Sequence, residues 1–339
     1  MIAIGVASFG ILLTAPLKLN SVSQSYRNNA IISMIIITEK FGQLGNRLIL
    51  FSHFVAFAIE HGFTVANLAF DEYAPLFQTT SRDLFCRYPH QKSSFGRENQ
   101  NLRWVINSFA NTGANLIYCS KINSKLFKCI KIEPNQDCLL DSQYFLKSCE
   151  KHKLLLIQGF RFRYEAGLLK HADRVREFFK PQNKHQNNID NLINHLKQSC
   201  EILVGVHIRH GDYRHHQGGK NFFVIEQYLQ VMKKVANLFP GREVAFLVCS
   251  DAKHDEAKFS ELKVFLGNNH LLEDMYSLAK CDLIIGPMST YSTWASFYGK
   301  VPLYRIYNPE NQLSLDNFKV YVPGMDYKYP NGLTINSSV

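Results

Sequence analysis

Two hydrophobic patterns alternate along most of this chain: short runs of branched apolar residues, and longer stretches whose apolar positions suit a helix. Near the start, residues 35–38 form a continuous apolar run, residues 42–46 form a loop with two glycines, and residues 48–61 contain neither proline nor glycine. Gly62 is placed to end this helix, and residues 63–68 give the next strand. The order strand, helix, strand predicts a βαβ unit.

The C-terminal part of the chain shows the same alternation more regularly. Predicted strands occupy residues 202–209, 244–249, 264–266, 283–286 and 301–304, and predicted helices occupy residues 226–238, 255–262, 272–279 and 291–298. Alternation of this kind favours a parallel, doubly wound sheet. The predicted fold class is therefore α/β.

The middle of the chain is less regular. Residues 154–162 predict a buried strand, residues 173–179 and 188–198 predict helices, and the polar stretch 181–188 is the predicted linker. Residues 80–150 show no clean period, and we predict only that they are mixed α/β.

The length of the chain indicates two domains. Its 339 residues exceed the roughly 250–300 at which single hydrophobic cores stop growing. We place an N-terminal domain at residues 34–195 and a C-terminal domain at residues 196–339. Residues 1–33 are predicted to be a dispensable leader, because the first clear strand opens at a second methionine, Met34.

The leader also bears on where in the cell the protein is located. The apolar run at residues 2–17 is short for a membrane span and lacks the basic start of a signal peptide. A membrane anchor is the alternative to a dispensable leader. The prediction is a cytoplasmic or weakly membrane-associated protein, with a Golgi type II anchor if the source is eukaryotic.

Charge narrows the choice of partner only slightly. Lys and Arg number 38 against 28 Asp and Glu, a net charge of 38 − 28 = +10, and the hydrophobic content of 46% excludes a disordered polymer. A basic protein favours an anionic partner such as nucleic acid, a membrane surface or a phosphorylated small molecule, although a basic balance also occurs without functional meaning. No long basic run concentrates the charge, so nothing further indicates nucleic acid.

The eight cysteines do not form a recognisable site. No C-x-x-C pair occurs, which argues against a zinc ribbon and a thioredoxin-type motif. Most are predicted to be reduced core residues. Five lie between residues 86 and 149, so a disulfide there is the alternative for an oxidising compartment.

The clearest candidate for chemistry is the end of the strand at residues 202–209. Because side chains alternate along a strand, His207 and Arg209 face the same way at its carboxyl end. Ligands of open α/β sheets bind at this edge, and an arginine there can form two charge-assisted hydrogen bonds to a phosphate. The alternative is structural, with Arg209 paired to Asp212 and His207 satisfied in the core.

Three further histidines, His210, His215 and His216, raise the possibility of a metal site with His207. We do not favour it, because no cysteine or carboxylate stands at regular ligand spacing. No metal and no cofactor are predicted.

Other strand ends carry polar groups. Ser250 and Asp251 follow one strand, and Ser289, Thr290 and Ser292 stand where a helix begins. Hydroxyls beside the free N–H groups of a helix start suit a phosphate, but they also suit ordinary helix caps. Asp251 can accept hydrogen bonds from a nucleoside or cap the next helix.

The N-terminal loop Gly42-Gln-Leu-Gly45-Asn46 also lies between a strand and a helix, so it can face the other domain across a cleft. It is neither the G-x-G-x-x-G dinucleotide fingerprint nor a P-loop. A glycine turn without a ligand is the alternative.

Together these segments resemble one enzyme family. Gly42-Gln-Leu-Gly45-Asn46-Arg-Leu, His207-Ile-Arg209-His-Gly-Asp212-Tyr, Val-Cys-Ser250-Asp251, Glu273-Asp274-Met-Tyr and Ser289-Thr290-Tyr-Ser292-Thr-Trp are similar to motifs of the alpha-1,2-fucosyltransferases, glycosyltransferase family eleven. Order and spacing agree from about residue 34 to about residue 305. The alpha-1,6 and protein O-fucosylating enzymes are looser relatives.

The resemblance implies a GT-B fold of two Rossmann-like domains facing across a cleft, with GDP-fucose held mainly by the second and a glycan acceptor approached from the first. It implies an inverting fucosyltransferase without a divalent metal, and no Asp-x-Asp motif occurs in the chain. By similarity Arg209 binds the β-phosphate and Asn46, with Gly42 and Gly45, supports the donor from the opposite side.

The resemblance also implies roles for the other candidate site residues. Ser250 and Asp251 contact the nucleoside, and Ser289, Thr290 and Ser292 surround the phosphates. His207 and Asp212 shape the site, with Asp212 as the candidate base.

The chain also departs from the family pattern. Gln43 stands in place of a glycine, Arg47 in place of a glutamine, Arg161 in place of an aromatic residue and Thr293 in place of a tryptophan. These departures leave the linkage open between alpha-1,2 and alpha-1,6 or protein O-linked transfer. They also leave a non-catalytic GDP-sugar or glycan-binding protein as an alternative.

Overall fold

A computed structural model of the chain describes residues 34–90, 100–120, 124–268 and 270–324. The leader, with the question of an anchor at residues 2–17, lies outside these residues.

The helices are α1 (Leu44–His61), α2 (Gln100–Ser120), α3 (Gln143–Lys151), α4 (Glu165–Lys170), α5 (Ala172–Phe178), α6 (Asn183–Lys197), α7 (Ile225–Ala236), α8 (Leu271–Leu278) and α9 (Thr290–Gly299). The strands are β1 (Met34–Ile37), β2 (Thr64–Asn67), β3 (Arg87–Tyr88), β4 (Phe127–Lys131), β5 (Cys138–Leu139), β6 (Leu154–Gln158), β7 (Phe162–Arg163), β8 (Ile202–Ile208), β9 (Val244–Ser250), β10 (Val264–Leu266), β11 (Leu283–Gly286) and β12 (Leu303–Arg305).

The N-terminal sheet has the strand order β3-β2-β1-β6-β4 and is parallel except for β3. Its two faces are covered by different helices. Ile35 and Ile37 belong to the same core cluster as the apolar residues of α1, whereas Ile36 packs with Ala114 and Ile117 of α2. Because neighbouring residues of a strand point to opposite faces, α1 and α2 lie on opposite sides of this sheet.

The C-terminal sheet has the order β10-β9-β8-β11-β12, and all its strands are parallel. The central strand β8 is buried along its whole length, as expected of a parallel strand covered on both faces. The chain leaves β8 for β9 on one side and reaches β11 on the other, so β8 lies at the topological switch point of the sheet. Ligands bind at such a point, outside the carboxyl ends of the strands.

The two sheet units contact each other closely. α1 packs against α9, and a Cβ added to Gly45 would stand 2.9 Å from both Thr290 Oγ1 and Tyr291 N. The Tyr276 hydroxyl donates a hydrogen bond of 2.8 Å to the Phe179 carbonyl. The first turns of α1 and α9 therefore meet, and this contact requires a residue without a side chain at position 45.

The predicted linker at residues 181–188 is wrong. Only Pro181 and Gln182 precede α6, which continues from Asn183 to Lys197 and so begins earlier than the predicted helix at 188–198. Its buried residues, Ile189, Ile193 and Leu196, have helical spacing. They begin only after a polar run of Asn, Gln and His, so the apolar pattern does not reveal the first turns of the helix. The domain boundary placed between residues 195 and 196 falls within α6 and stays a prediction.

Three other elements differ from the sequence prediction. Residues 255–262 form a short 3-10 helix at Glu256–Phe259 instead of an α-helix. The predicted strand at 154–162 is divided into β6 and β7, because Gly159 adopts φ +108° and redirects the chain. α1 begins four residues earlier than predicted, at Leu44.

In the irregular region, α2 is a helix of 21 residues that the sequence pattern did not identify. Five of the eight cysteines are buried, which agrees with the prediction that most are core residues. Within residues 34–324, as far as they are described, no helix is long and apolar enough to cross a membrane.

Candidate active site at the carboxyl end of β8

A cavity of about 360 Å³ opens where β8 and β9 end and where the first turns of α1 and α9 come together. It is lined by Gln43, His207, Arg209, Gly211, Asp212, Cys249, Ser250, Asp251, Leu271, Asp274 and Tyr291. Five of the residues that the sequence predicted for the site thus meet here: His207, Arg209, Asp212, Ser250 and Asp251.

Arg209 is the central cation of the cavity. Its guanidinium lies 2.8 Å from Asp212 Oδ1 and 3.1 Å from Asp251 Oδ2, and it donates a hydrogen bond of 3.1 Å to Gln43 Oε1. The Arg209 side chain is 16% exposed, whereas that of Asp212 is 56% exposed. The Arg209–Asp212 ion pair that the structural alternative predicts is therefore present. The Asp212 carboxylate, however, is exposed to solvent, so another anion can displace it.

Asp251 holds the loop that carries Arg209. One carboxylate oxygen accepts a hydrogen bond of 2.8 Å from His210 N and the other accepts one of 3.0 Å from Gly211 N. A Cβ at position 211 would lie 2.6 Å from that second oxygen, so a glycine is needed for this approach. These two bonds fix the turn after β8 without depending on the arginine side chain.

His207 is buried beneath Arg209 and is neutral. Burial, reinforced by the Arg209 guanidinium, lowers the His207 pKa to about 3. The ring stacks on Tyr291 with centroids 4.7 Å apart, and its Nδ1 is buried without a hydrogen-bond partner among the described residues. A Cβ at Gly286, on β11, would lie 3.0 Å from His207 Cβ, which explains the glycine at that strand end.

Two helix N-termini point towards the cavity. Gln43 is the N-cap of α1, and Ser289 is the N-cap of α9, whose Oγ accepts a hydrogen bond of 3.2 Å from Tyr291 N. The positive ends of both helix dipoles and the Arg209 guanidinium therefore converge on one space. Such an arrangement binds anions, and phosphate groups in particular.

The other predicted donor-binding residues do not line this cavity. Ser292 is fully buried and its hydroxyl donates to the Ser289 carbonyl at 3.3 Å, so it faces its own helix. Thr290 packs on Gly45, and Gly42, at φ +58°, is covered by the Asn46 side chain, whose Nδ2 would lie 1.9 Å from a Cβ at position 42. Gly42, Gly45 and Asn46 thus shape the first turn of α1, and a role toward the donor stays a prediction for them and for the hydroxyls of α9.

Ser250 lies in the cavity wall but is already engaged. Its hydroxyl is 2.7 Å from His254 Nε2 and accepts a hydrogen bond of 3.1 Å from Ala252 N. Both oxygens of Asp251 are likewise in use, so a contact of either residue with a nucleoside also stays a prediction.

Among the described side chains, which do not include that of His216, His207, His210 and His215 do not form a group of potential metal ligands. His210 Nε2 lies 2.8 Å from the Phe223 carbonyl. The one group of three candidate ligands found in the described part of the chain is elsewhere, at His185, His270 and Glu273, where His185 Nδ1 lies 2.7 Å from Glu273 Oε1.

Sequence reasoning missed two important residues of the cavity. Gln43 was noted only as a departure from a glycine, yet it reaches Arg209 from 166 residues away. Asp274 stands in the sequence only as part of the Glu273-Asp274-Met-Tyr motif, yet it is 4% exposed, lines the cavity and accepts a hydrogen bond of 3.0 Å from Asn268 N. An acidic residue inside a buried apolar helix was the signal that could have identified Asp274.

Two Rossmann-like sheet units with a cavity between them form the GT-B architecture of glycosyltransferases. The profile described as Glycosyl transferase family 11 matches residues 124–312, more than half of the chain. The chain belongs to this family, so it is a glycosyltransferase.

One solved structure shares the fold, and a second is similar at a lower score. Arabidopsis thaliana FUT1, a mutant in complex with GDP, is 13% identical, with a TM-score of 0.54 over 93% of this chain and 81% of that one. The fucosyltransferase NodZ from Bradyrhizobium is 15% identical, with a TM-score of 0.49 over 82% of this chain and 97% of that one. No curated protein matches the sequence.

Proposed function

We propose that this protein is an inverting fucosyltransferase that moves fucose from GDP-fucose to a glycan hydroxyl, forming an alpha-1,2 linkage to a galactoside. The observation that carries the proposal is the position of Arg209, which directly follows the central strand of the C-terminal sheet and lies near the N-termini of two helices. Membership of family 11 and the His207-to-Tyr213 motif support fucose as the sugar. The GDP bound by FUT1, which shares the fold, supports the nucleotide.

In this proposal the donor diphosphate takes the place of Asp212 at Arg209. Asp212 is the more exposed of the two carboxylates, whereas Asp251 is fixed by two backbone N–H groups. Arg209 keeps Asp251 as a partner that orients its guanidinium toward the phosphate. As the bond from C1 of fucose to the diphosphate breaks, negative charge grows on the leaving group, and a preoriented arginine stabilises it.

His207 serves as a neutral wall of this site. A side chain with a pKa of about 3 accepts a proton weakly at neutral pH, so it is a poor general base. A neutral ring also avoids placing a second positive charge next to Arg209. His207 therefore supports Arg209 and Tyr291 by packing.

The acceptor hydroxyl must lose a proton during transfer, and Asp212 is our candidate for the base. Its carboxylate lies at the mouth of the cavity and is exposed to solvent. When the diphosphate binds Arg209, it displaces the Asp212 carboxylate, which then faces the acceptor side. Inversion at C1 follows if the hydroxyl attacks from the side opposite to the diphosphate.

A donor panel tests the proposal. Purified protein is incubated with GDP-fucose, GDP-mannose, UDP-galactose and UDP-N-acetylglucosamine, each with a β-galactoside acceptor. We expect transfer from GDP-fucose alone and an alpha-1,2 linkage by NMR of the product. Binding of GDP-fucose without transfer to a set of glycans would favour the non-catalytic alternative, and transfer to another position would correct the linkage.

A further inference from the structure

The outer side of α2 is apolar and carries no charge. Phe109 and Leu116 lie on one side of this helix with Val105, at spacings of four and seven residues, and they are 71%, 51% and 36% exposed. Trp104, on the adjoining side, is 59% exposed. We call these four residues the α2 apolar surface.

The helix has a single charged residue, which faces inward. Arg103 is 3% exposed and donates hydrogen bonds to the carbonyls of Thr80, Ser81 and Asp83. The solvent-exposed side of this 21-residue helix is uncharged and includes a tryptophan and a phenylalanine. Such a side is unusual on the surface of a soluble protein. Such a surface is typical of an interaction site.

A cationic cavity adjoins the C-terminal end of the same helix. Its volume is about 460 Å³, and its wall includes Tyr118, Lys128, Tyr144, Lys147 and Lys151. No Asp or Glu is among the described residues of this wall. The Lys128 ammonium lies 4.5 Å from the centre of the Tyr144 ring, and Tyr144 is 56% exposed.

Both features face away from the catalytic cavity. α2 and α1 cover opposite faces of the N-terminal sheet, and it is α1 that brings Gln43 to Arg209. A large flat partner can therefore bind the α2 side while donor and acceptor enter the cleft freely.

We propose that the α2 apolar surface and the adjoining lysine cavity bind an anionic lipid membrane. An amphipathic helix that lies in a membrane interface combines exposed aromatic and aliphatic residues with nearby lysines. Trp104 and Phe109 would enter the boundary between headgroups and acyl chains, and the lysines would bind the phosphate groups. The tyrosines of the cavity suit the same boundary, where amphipathic rings concentrate.

The place where the leader joins the fold supports a lipid occupant. Met34, the first described residue, packs in the same cluster as Phe127, which lines the lysine cavity. Residues 2–17 of the leader, which precedes Met34 in the chain, contain no charge. Stable attachment to a membrane usually takes two signals, and an apolar leader would supply the second.

The chain offers a direct optical test. It has two tryptophans, Trp104, which is 59% exposed, and Trp294, which is fully buried. On titration with phosphatidylglycerol–phosphatidylcholine vesicles, the full-length protein should sediment with them and its fluorescence should shift to shorter wavelength. Trp104→Phe should still sediment but lose the shift, because only Trp104 enters the lipid.

Matched variants separate the two parts of the surface. Phe109→Glu should weaken vesicle binding at least about tenfold, the value of one buried aromatic side chain. Leu169→Glu, at a residue 42% exposed on α4, is the control and should bind normally. Lys147→Glu with Lys151→Glu should abolish the preference for anionic vesicles, whereas Lys258→Glu, elsewhere on the surface, should not.

Three results would overturn the proposal. The first is no sedimentation with anionic vesicles, and the second is equal binding by Phe109→Glu and wild type. The third is a dimer without lipid that Phe109→Glu converts to a monomer in sedimentation velocity, which would show that a second copy covers this surface. GDP binding, measured in parallel, should be the same in all these variants, so the test is independent of the proposed transfer reaction.

Discussion

Acid should destabilise the site through His207. In the folded protein this imidazole is neutral, with its pKa lowered from 6.5 to about 3 by burial and by Arg209. In the unfolded chain it takes up a proton as the pH falls below about 6.5. Its contribution to stability is therefore complete above that pH and is lost progressively as the pH falls toward 3.

The size of the effect follows from the two pKa values. At pH 5 the unfolded imidazole is protonated and the folded one is not, and one pH unit is worth about 1.4 kcal/mol. Between pH 7 and pH 5, His207 alone should then remove about 2 kcal/mol from the free energy of unfolding. His53, buried with a pKa also lowered to about 3, adds a similar loss in the N-terminal unit.

The assay is urea unfolding at pH 7 and pH 5, followed by circular dichroism, for wild type and His207→Gln. Every other titrating group, including His53, is common to both proteins and cancels. The variant should lose about 2 kcal/mol less than wild type between the two pH values. His195→Gln, at an exposed residue of α6, is the control and should behave as wild type. Equal losses in wild type and His207→Gln would refute a neutral buried histidine.

Three further outcomes are expected. Transfer should survive EDTA, because in the proposed function Arg209 and the helix N-termini bind the diphosphate, and the chain lacks Asp-x-Asp; a hundredfold loss restored by Mn²⁺ would contradict this and direct attention to His185, His270 and Glu273. Gln43→Ala should lower the transfer rate by about three- to tenfold at unchanged melting temperature, since it removes one hydrogen bond that orients Arg209; an unchanged rate would deny Gln43 that role. A protein of residues 34–339 should melt and bind GDP like the full chain, because β1 begins at Met34; aggregation would show that the leader is structural.

The alternation of side chains in β8 was enough to predict that His207 and Arg209 share one cavity. It was not enough to predict what they contact there. Arg209 meets Asp251, at the end of the neighbouring strand, and Gln43, from the other sheet unit, and these contacts depend on how the strands and the units are placed in space. Local patterns contain no information on such distances.

The predicted start of a helix was wrong where polar residues concealed the helical period. α6 starts with Asn, Lys, His and Gln, residues that also suit a loop, and its buried positions begin only at Ile189. The direction of the Ser292 hydroxyl could not be predicted, for a related reason. Ser292 has the sequence position of a phosphate ligand, but its hydroxyl bonds to the preceding turn, as buried helical serines often do.

The role of Arg209 is tested most directly by the rate of fucose transfer of Arg209→Ala, taken together with its melting temperature. Asp251 keeps its bonds to His210 and Gly211 without the arginine, so folding should be nearly unchanged. Arg209→Lys should recover only part of the rate, because an ammonium lacks the planar pair of donors.

We predict that kcat from GDP-fucose to a galactoside falls by roughly 10² to 10³ in Arg209→Ala, as expected when one preoriented electrostatic group is removed. A structural role would instead lower the melting temperature of Arg209→Ala and Asp212→Ala by similar amounts. An Arg209→Ala protein that transfers fucose within a few-fold of wild type would contradict the assignment of Arg209 to the leaving diphosphate.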